Sequence, residues 1–247
     1  MAVDEFLYSI GEGVERIASA FRSFLFPEPS ENPPRFGFTR RLVKSRVTLH
    51  ELFSLHLQLC FLLYLVLNFV VVFLVSSPLW VLILAVPYFL YLRYIFNRYG
   101  HFLLEEKPYR VFYTVISALS FLAFFGYSIV RLYAGGVLYV YAYVMGIAVL
   151  VLLFRWYFKR TFGRDYTYGV VEELKGDLVR VFVHDDLSAN VKPGLYWLPA
   201  VPDAEPGRVV KVLVEDRAFR SAKPVRIIEV YLSQSSQSST EPKNAME

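Results

Sequence analysis

Residues 52–75, LFSLHLQLCFLLYLVLNFVVVFLV, contain no Asp, Glu, Lys or Arg. An α-helix needs about 20 consecutive apolar residues to cross a hydrocarbon core roughly 30 Å thick, and this run is long enough. The absence of acids extends far beyond it. No carboxylate lies between Glu51 and Glu105, and none between Glu106 and Asp165. Those two gaps hold three further apolar runs, 79–96, 111–130 and 137–158. The pattern predicts an α-helical membrane protein with four transmembrane helices arranged as two hairpins.

The punctuation around the runs agrees with this reading. Thr48 followed by Glu51 fits a capping box, with the Thr hydroxyl and the Glu carboxylate each taking one free end amide. Pro78 suits the first turn of the second span, where no amide donor is needed, and Pro87 is expected to kink that helix. Ala134, Gly135 and Gly136 turn the chain into the fourth span.

The formal net charge is +4, and the surplus of cations falls inside residues 52–164, beside the apolar runs. Charge in that place speaks to topology and is not a nucleic-acid footprint. The turns at 76–77 and 131–136 hold Arg131 alone. Arg40, Arg41, Lys44, Arg46, Arg98, Lys107, Arg110, Lys159, Arg160 and Arg164 all collect on the opposite side. The positive-inside rule therefore predicts a cell-membrane protein with both termini and the central loop in the cytoplasm. Asp4 and Glu5 stand where a signal peptide would carry its basic region, so the first span is the expected insertion signal.

The ends read differently. Residues 1–26 carry Phe6, Leu7, Ile10, Val14, Ile17 and Phe21 at helical spacing, opposite Glu5, Glu12, Glu15, Arg16 and Arg22. This is an amphipathic helix suited either to the lipid interface or to packing on protein. Residues 27–47 form a Pro-rich linker and a basic juxtamembrane stretch, and 48–164 hold the spans. Beyond Arg164 the apolar period shortens to two. Val179, Val181 and Val183 alternate with Leu178, Arg180 and Phe182, and Arg208–Glu215 alternates again through Val210, Val212 and Val214. Lys175-Gly176-Asp177 has hairpin chemistry, and Lys192-Pro193-Gly194 reads as a type II turn. Five short strands within 165–232 predict a small all-β, barrel-like cytoplasmic domain, OB-like or SH3-like. The Ser- and Gln-rich residues 233–247 have no apolar period and are expected to be disordered.

Catalytic chemistry is not legible. The single cysteine, Cys60, supports neither a disulfide framework nor a thiolate metal site within one chain. His101 and Glu105 would share a face if their loop were helical, yet two ligands with no second histidine at useful spacing make no zinc site. His184, Asp185 and Asp186 close a strand, but their spacing matches no calcium loop, and solvated turn residues are the favoured explanation. His56, Gln58, Cys60 and Asn68 are polar positions within the first span. His56 and Asn68 point about 120° apart at 100° per residue, which favours interhelical packing over a single conducting stripe. Ala142 and Gly146, four apart in the fourth span, favour close helix approach within or between chains. No cofactor motif and no catalytic motif are present, so an enzyme is not expected. The expected partners are the lipid bilayer and either another protein or a second copy of the chain.

The order of amphipathic N-terminus, four spans and the segment YTYGVVEELKGDLVRVFVHDDLSANVKPGLYWLP…GRVVKVLVEDR (from Tyr166) resembles a family of uncharacterised archaeal membrane proteins, catalogued as a domain of unknown function. The resemblance covers most of residues 1–232 and implies an archaeal cell-membrane location. It supplies no catalytic residues. The residues themselves leave three roles as expectations: first a membrane-anchored interaction or assembly module presenting the β-domain, then a small transporter or channel subunit built from oligomerised hairpins, and last a membrane enzyme using His101–Glu106 or His184–Asp186.

Overall fold

The computed structural model describes residues 12–16, 19, 22–24, 26–43, 48–75, 77–134, 136–217 and 220–231. The chain divides into two compact units, Met1–Tyr157 and Phe158–Glu247. Most of the predicted amphipathic helix and all of the predicted disordered tail lie outside the described residues.

In the first unit a short helix, α1 (Gly37–Leu42), precedes α2 (Leu49–Leu74), α3 (Pro78–Tyr99) and α4 (Glu106–Tyr133). The chain then enters α5 (Val137–Phe162), whose last turn belongs to the second unit. The helices α2 to α5 are all long and apolar enough to cross a membrane.

Each boundary has a local cause. Thr48 Oγ1 accepts the Glu51 amide at 3.4 Å while Glu51 Oε2 accepts the Thr48 amide at 3.1 Å, completing the capping box. Pro78 opens α3, and the helix continues through Pro87. Helix α4 starts earlier than its apolar run because Pro108 falls in the first turn, where proline removes no needed donor. His101 sits in a 3₁₀ turn, Gly100–Phe102, and α4 begins at Glu106 with Glu105 as its N-cap. The helical loop that would have aligned His101 with Glu105 therefore does not form.

Helices α2, α3 and α4 pack on one another around Phe53, Leu57, Val81, Leu92, Ile95 and Tyr113. Helix α5 is different. No residue of its most apolar stretch is buried within the chain. It reaches α4 through the Tyr143 hydroxyl, which donates to the Leu122 carbonyl, and through Phe154, whose ring lies 6.0 Å from that of Phe112. Tyr143 lies over Gly126, where a larger residue would collide with it. Ala142 and Gly146 are exposed, and nothing in the chain stands within 4 Å of a Cβ built at Gly146. The close approach predicted for that pair is therefore not made inside one chain.

The second unit is an antiparallel half-barrel of five strands in the order β3-β2-β1-β4-β5. They are β1 (Tyr166–Lys175), β2 (Leu178–Val183), β3 (Gly194–Pro199), β4 (Val209–Arg217) and β5 (Arg220–Tyr231). The alternating valines face inward as predicted: Val179, Val181, Val183, Val210, Val212 and Val214 are all buried, with Leu198 and Ile227. Gly176 takes φ +58° in the β1–β2 turn, a conformation that favours glycine.

Two details of this unit differ from the prediction. Gly194 does not adopt positive φ, so there is no type II turn at Pro193; Gly194 is the first residue of β3 and pairs with Val183. The reversal happens earlier, at residues 187–190, closed by an Asp186–Val191 bridge with Asn190 at φ 54°. The sequence pattern predicts the fifth strand at Val225–Leu232, but β5 starts five residues earlier, at Arg220, and contains Pro224. A proline normally argues against a strand, but β5 is an edge strand that pairs only with β4, so the missing amide breaks no second ladder.

Candidate functional site

Helix α2 carries four side chains with polar groups at a spacing of four: His56, Cys60, Tyr64 and Asn68. An i,i+4 row drifts around a single helix, which gives the 120° between its ends, but such a row is the ridge a second helix packs against. The row faces α3 and α4 and forms two clusters.

The first cluster centres on His56. Thr39 of α1 is fully buried, and its hydroxyl lies 2.8 Å from His56 Nδ1. The Tyr91 hydroxyl of α3 lies 2.6 Å from Nε2, and Cys60 Sγ stands 3.5 Å from the same nitrogen. The Phe36 ring stacks on the imidazole with centroids 4.2 Å apart. Both hydroxyls can donate or accept, so either neutral tautomer of His56 is satisfied and the ring is held on all sides.

The second cluster lies two turns along α2. Tyr64 stacks on Tyr88 of α3, centroids 4.1 Å apart and rings 8° from parallel. The Tyr88 hydroxyl lies 3.1 Å from Ser117 Oγ of α4. Asn68, fully buried, donates its amide to the Tyr64 carbonyl at 2.8 Å. The Tyr64 hydroxyl and Asn68 Oδ1 are buried without a hydrogen-bond partner. Near the far end of α2, Arg131 Nη1 donates to the Val72 carbonyl at 3.2 Å. From His56 to Val72 the seam runs about 24 Å at 1.5 Å per residue.

His50 is spent on structure: it accepts the Leu104 amide at 3.2 Å and lies 3.5 Å from the Tyr109 hydroxyl, tying the α3–α4 loop to α2. Of these residues sequence reasoning singled out His56, Cys60 and Asn68. Thr39, Tyr88 and Tyr91 were missed, although Tyr88 and Tyr91 sit three apart on α3, a spacing that places them on one face.

A family model described as "Predicted membrane protein (DUF2101)" matches residues 21–228. The chain belongs to that family. No curated protein and no solved structure matches it. The matched stretch runs through both units, so in this DUF2101 chain the spans and the half-barrel are parts of one family pattern.

The half-barrel contains the remaining predicted residues. Asp186 is held by three donors: Arg164 Nη2 at 2.8 Å and Thr167 Oγ1 at 2.6 Å on one oxygen, and the Ala189 amide at 3.0 Å on the other. With its lone pairs so engaged it anchors the 187–190 turn. His184 packs edge-on to Phe182, 5.1 Å between centroids. Asp185 is half-buried beside it. In the first unit His101 is exposed against Phe102, and Glu105 occupies the N-cap position of α4 without a side-chain capping hydrogen bond. Among the described residues no group of three or more His, Cys, Asp or Glu side chains is placed to hold a metal ion.

The outer face of the half-barrel is the other feature with chemical content. Strand pairing aligns Leu195 with Phe182, Phe182 with Val170, Val170 with Val209, and Val209 with Tyr231, so one apolar row crosses all five strands. Leu195 is 52% exposed, Val209 43% and Tyr231 42%. Trp197 and Tyr168 flank the row, also exposed. The cations beside it are neutralised within the unit: Arg180 pairs with Glu172 and Glu173, and Lys211 with Glu229.

Proposed function

We propose that this protein is a membrane-anchored interaction module whose half-barrel docks another protein on the outer face of its sheet. The observation that carries the reading is the apolar row Leu195–Phe182–Val170–Val209–Tyr231. A five-stranded sheet needs one buried face, and the valine layer supplies it. A second apolar face on the same sheet has no role in folding, and contiguous exposed apolar surface on a small domain is characteristic of binding sites. Tyr and Trp with self-paired charges are the composition of a protein interface and offer little to nucleic acid.

The reading puts the chain in an archaeal cell membrane, with the half-barrel and both termini in the cytoplasm where the basic flanks collect. Replacing Leu195, Val209 and Tyr231 together by Asp should leave insertion and helix content unchanged and strip away the proteins that co-purify from mild detergent. Co-purification identical to wild type would overturn the docking face. Reporter tags at Met1 and Glu247 should report the same side of the membrane.

The transporter reading has one observation in its favour, the polar seam with its two unpartnered oxygens. Reconstituted protein would then pass protons or a small polar solute, and His56→Ala or Asn68→Leu would stop the flux. A wild-type protein silent across such a panel removes that role.

A further inference from the structure

A second feature of the first unit faces the lipid and is independent of the docking role. On the outside of the bundle, α3 and Phe121 of α4 leave a groove of about 410 Å³ whose lining is almost wholly hydrocarbon. Leu82 and Val86 flank it, the buried Ala85 contributes to its lining, Phe89 follows, and Arg93 ends it. From Leu82 to Arg93 the helix rises about 16 Å. That is about half of a hydrocarbon core roughly 30 Å thick, the depth of a single leaflet.

The charged end is the informative one. Arg93 lies toward the α3–α4 loop, where the headgroups of that leaflet belong, and a long cationic side chain there reaches out of the hydrocarbon. Its guanidinium lies over the Phe26 ring, 5.6 Å from the centroid. Among the described residues it has neither a carboxylate nor a hydrogen-bond acceptor. A guanidinium presents five donors in a planar fork that matches a phosphate.

We propose that this groove binds one molecule of an anionic phospholipid, a hydrocarbon chain lying along Leu82–Phe89 and its phosphate on Arg93. A transmembrane helix from a partner is the poorer occupant. It would run the whole length of α3, about 33 Å, while the groove ends at one leaflet.

The test uses the full chain reconstituted in vesicles of equal phosphatidylglycerol and phosphatidylcholine, released into the gas phase, with retained lipid identified by native mass spectrometry. Wild type should keep one phosphatidylglycerol in preference to phosphatidylcholine. Arg93→Gln should lower that preference about fivefold, the effect of one cation near an anionic headgroup. Ala85→Leu, which fills the groove, should lose the retained lipid of either kind, with helix content by circular dichroism confirming the fold. If Ala85→Leu does not fold, Arg93→Gln still decides through the ratio. Equal retention of both lipids by wild type, or a ratio unmoved by Arg93→Gln, would overturn the site.

Discussion

The two units give opposite meanings to the same exposure. Leu79 on α3 is 58% exposed and Leu195 on β3 is 52% exposed. The first faces hydrocarbon, which is as apolar as itself, so its exposure costs nothing and implies nothing. The second lies on a sheet outside the four spans, where contiguous exposed apolar surface is the exception and not the rule. Two buried polar residues show a contrast of their own, although a guanidinium nitrogen is buried without an acceptor in each unit, at Arg98 and at Arg208. Asp186, in the half-barrel, has three donors, whereas Asn68 and Tyr64, in the bundle, each leave an oxygen unpaired. In water a fold must account for its apolar outside; in lipid it must account for its polar inside.

The strongest way to break this comparison is Asp186→Ala. The Asp186–Arg164 pair is mostly buried, with side-chain exposures of 9% and 18%. Removing one partner of such a pair and leaving the other charge behind costs about 3–5 kcal/mol. Limited proteolysis of the detergent-solubilised chain should then cut first within β1–β3 while the helical signal of the spans persists. Resistance equal to wild type would show that the 187–190 turn holds without its anchor.

A matched pair of leucine truncations comes next. Leu198 is 2% exposed inside the half-barrel, and Leu198→Ala should destabilise that unit by about 2–5 kcal/mol in a denaturant titration. Leu79→Ala removes the same atoms from a lipid-facing position and should change stability by less than about 0.5 kcal/mol. Comparable losses at both sites would mean that α3 is covered by protein in the membrane, not by lipid.

Much of this contrast was legible in the amino-acid order, and for a definite reason. The spans announce themselves because acids are excluded from hydrocarbon over whole segments, and the strands because valine alternates with a period of two. What could not be read are relations between segments. The angle between His56 and Asn68, taken on one helix, argues against a common stripe; only the crossing of α3 and α4 turns the i,i+4 row into a buried ridge. Thr39 lies in a six-residue helix whose apolar pattern is too short to register, yet it supplies one of the two hydroxyls on His56. Gly194 shows the limit of turn chemistry: Pro-Gly has the right residues, but pairing with Val183 claims the glycine for β3.

Gly126 and Gly146 sharpen the comparison within the membrane. A methyl group at Gly126 must displace the Tyr143 side chain and its bond to the Leu122 carbonyl, a loss of about 1 kcal/mol between α4 and α5. At Gly146 there is open space, so Gly146→Ala should leave the isolated chain unaffected. If chemical crosslinking in membranes shows that Gly146→Ala nonetheless disperses an oligomer, the exposed face of α5 is where copies meet.

For Asn68→Leu the expected effect is small, and its sign is the point. Asn68 is fully buried, donates one amide hydrogen to the Tyr64 carbonyl and leaves Oδ1 without a partner. Hydrogen bonds inside membrane bundles are worth about 0.6 kcal/mol on average, and an unpaired buried oxygen offsets a gain of that size. A leucine of similar volume gives up both, so thermal unfolding in detergent should move by under about 1 kcal/mol, in the stabilising direction if it moves. Asp186→Ala and Asn68→Leu thus remove buried polar groups of comparable burial with opposite consequences, because one is satisfied and the other is not. A loss of several kcal/mol at Asn68 would mean that Oδ1 meets a bound water or a partner's donor in the membrane, and the seam would then be a filled site and not merely a packing ridge.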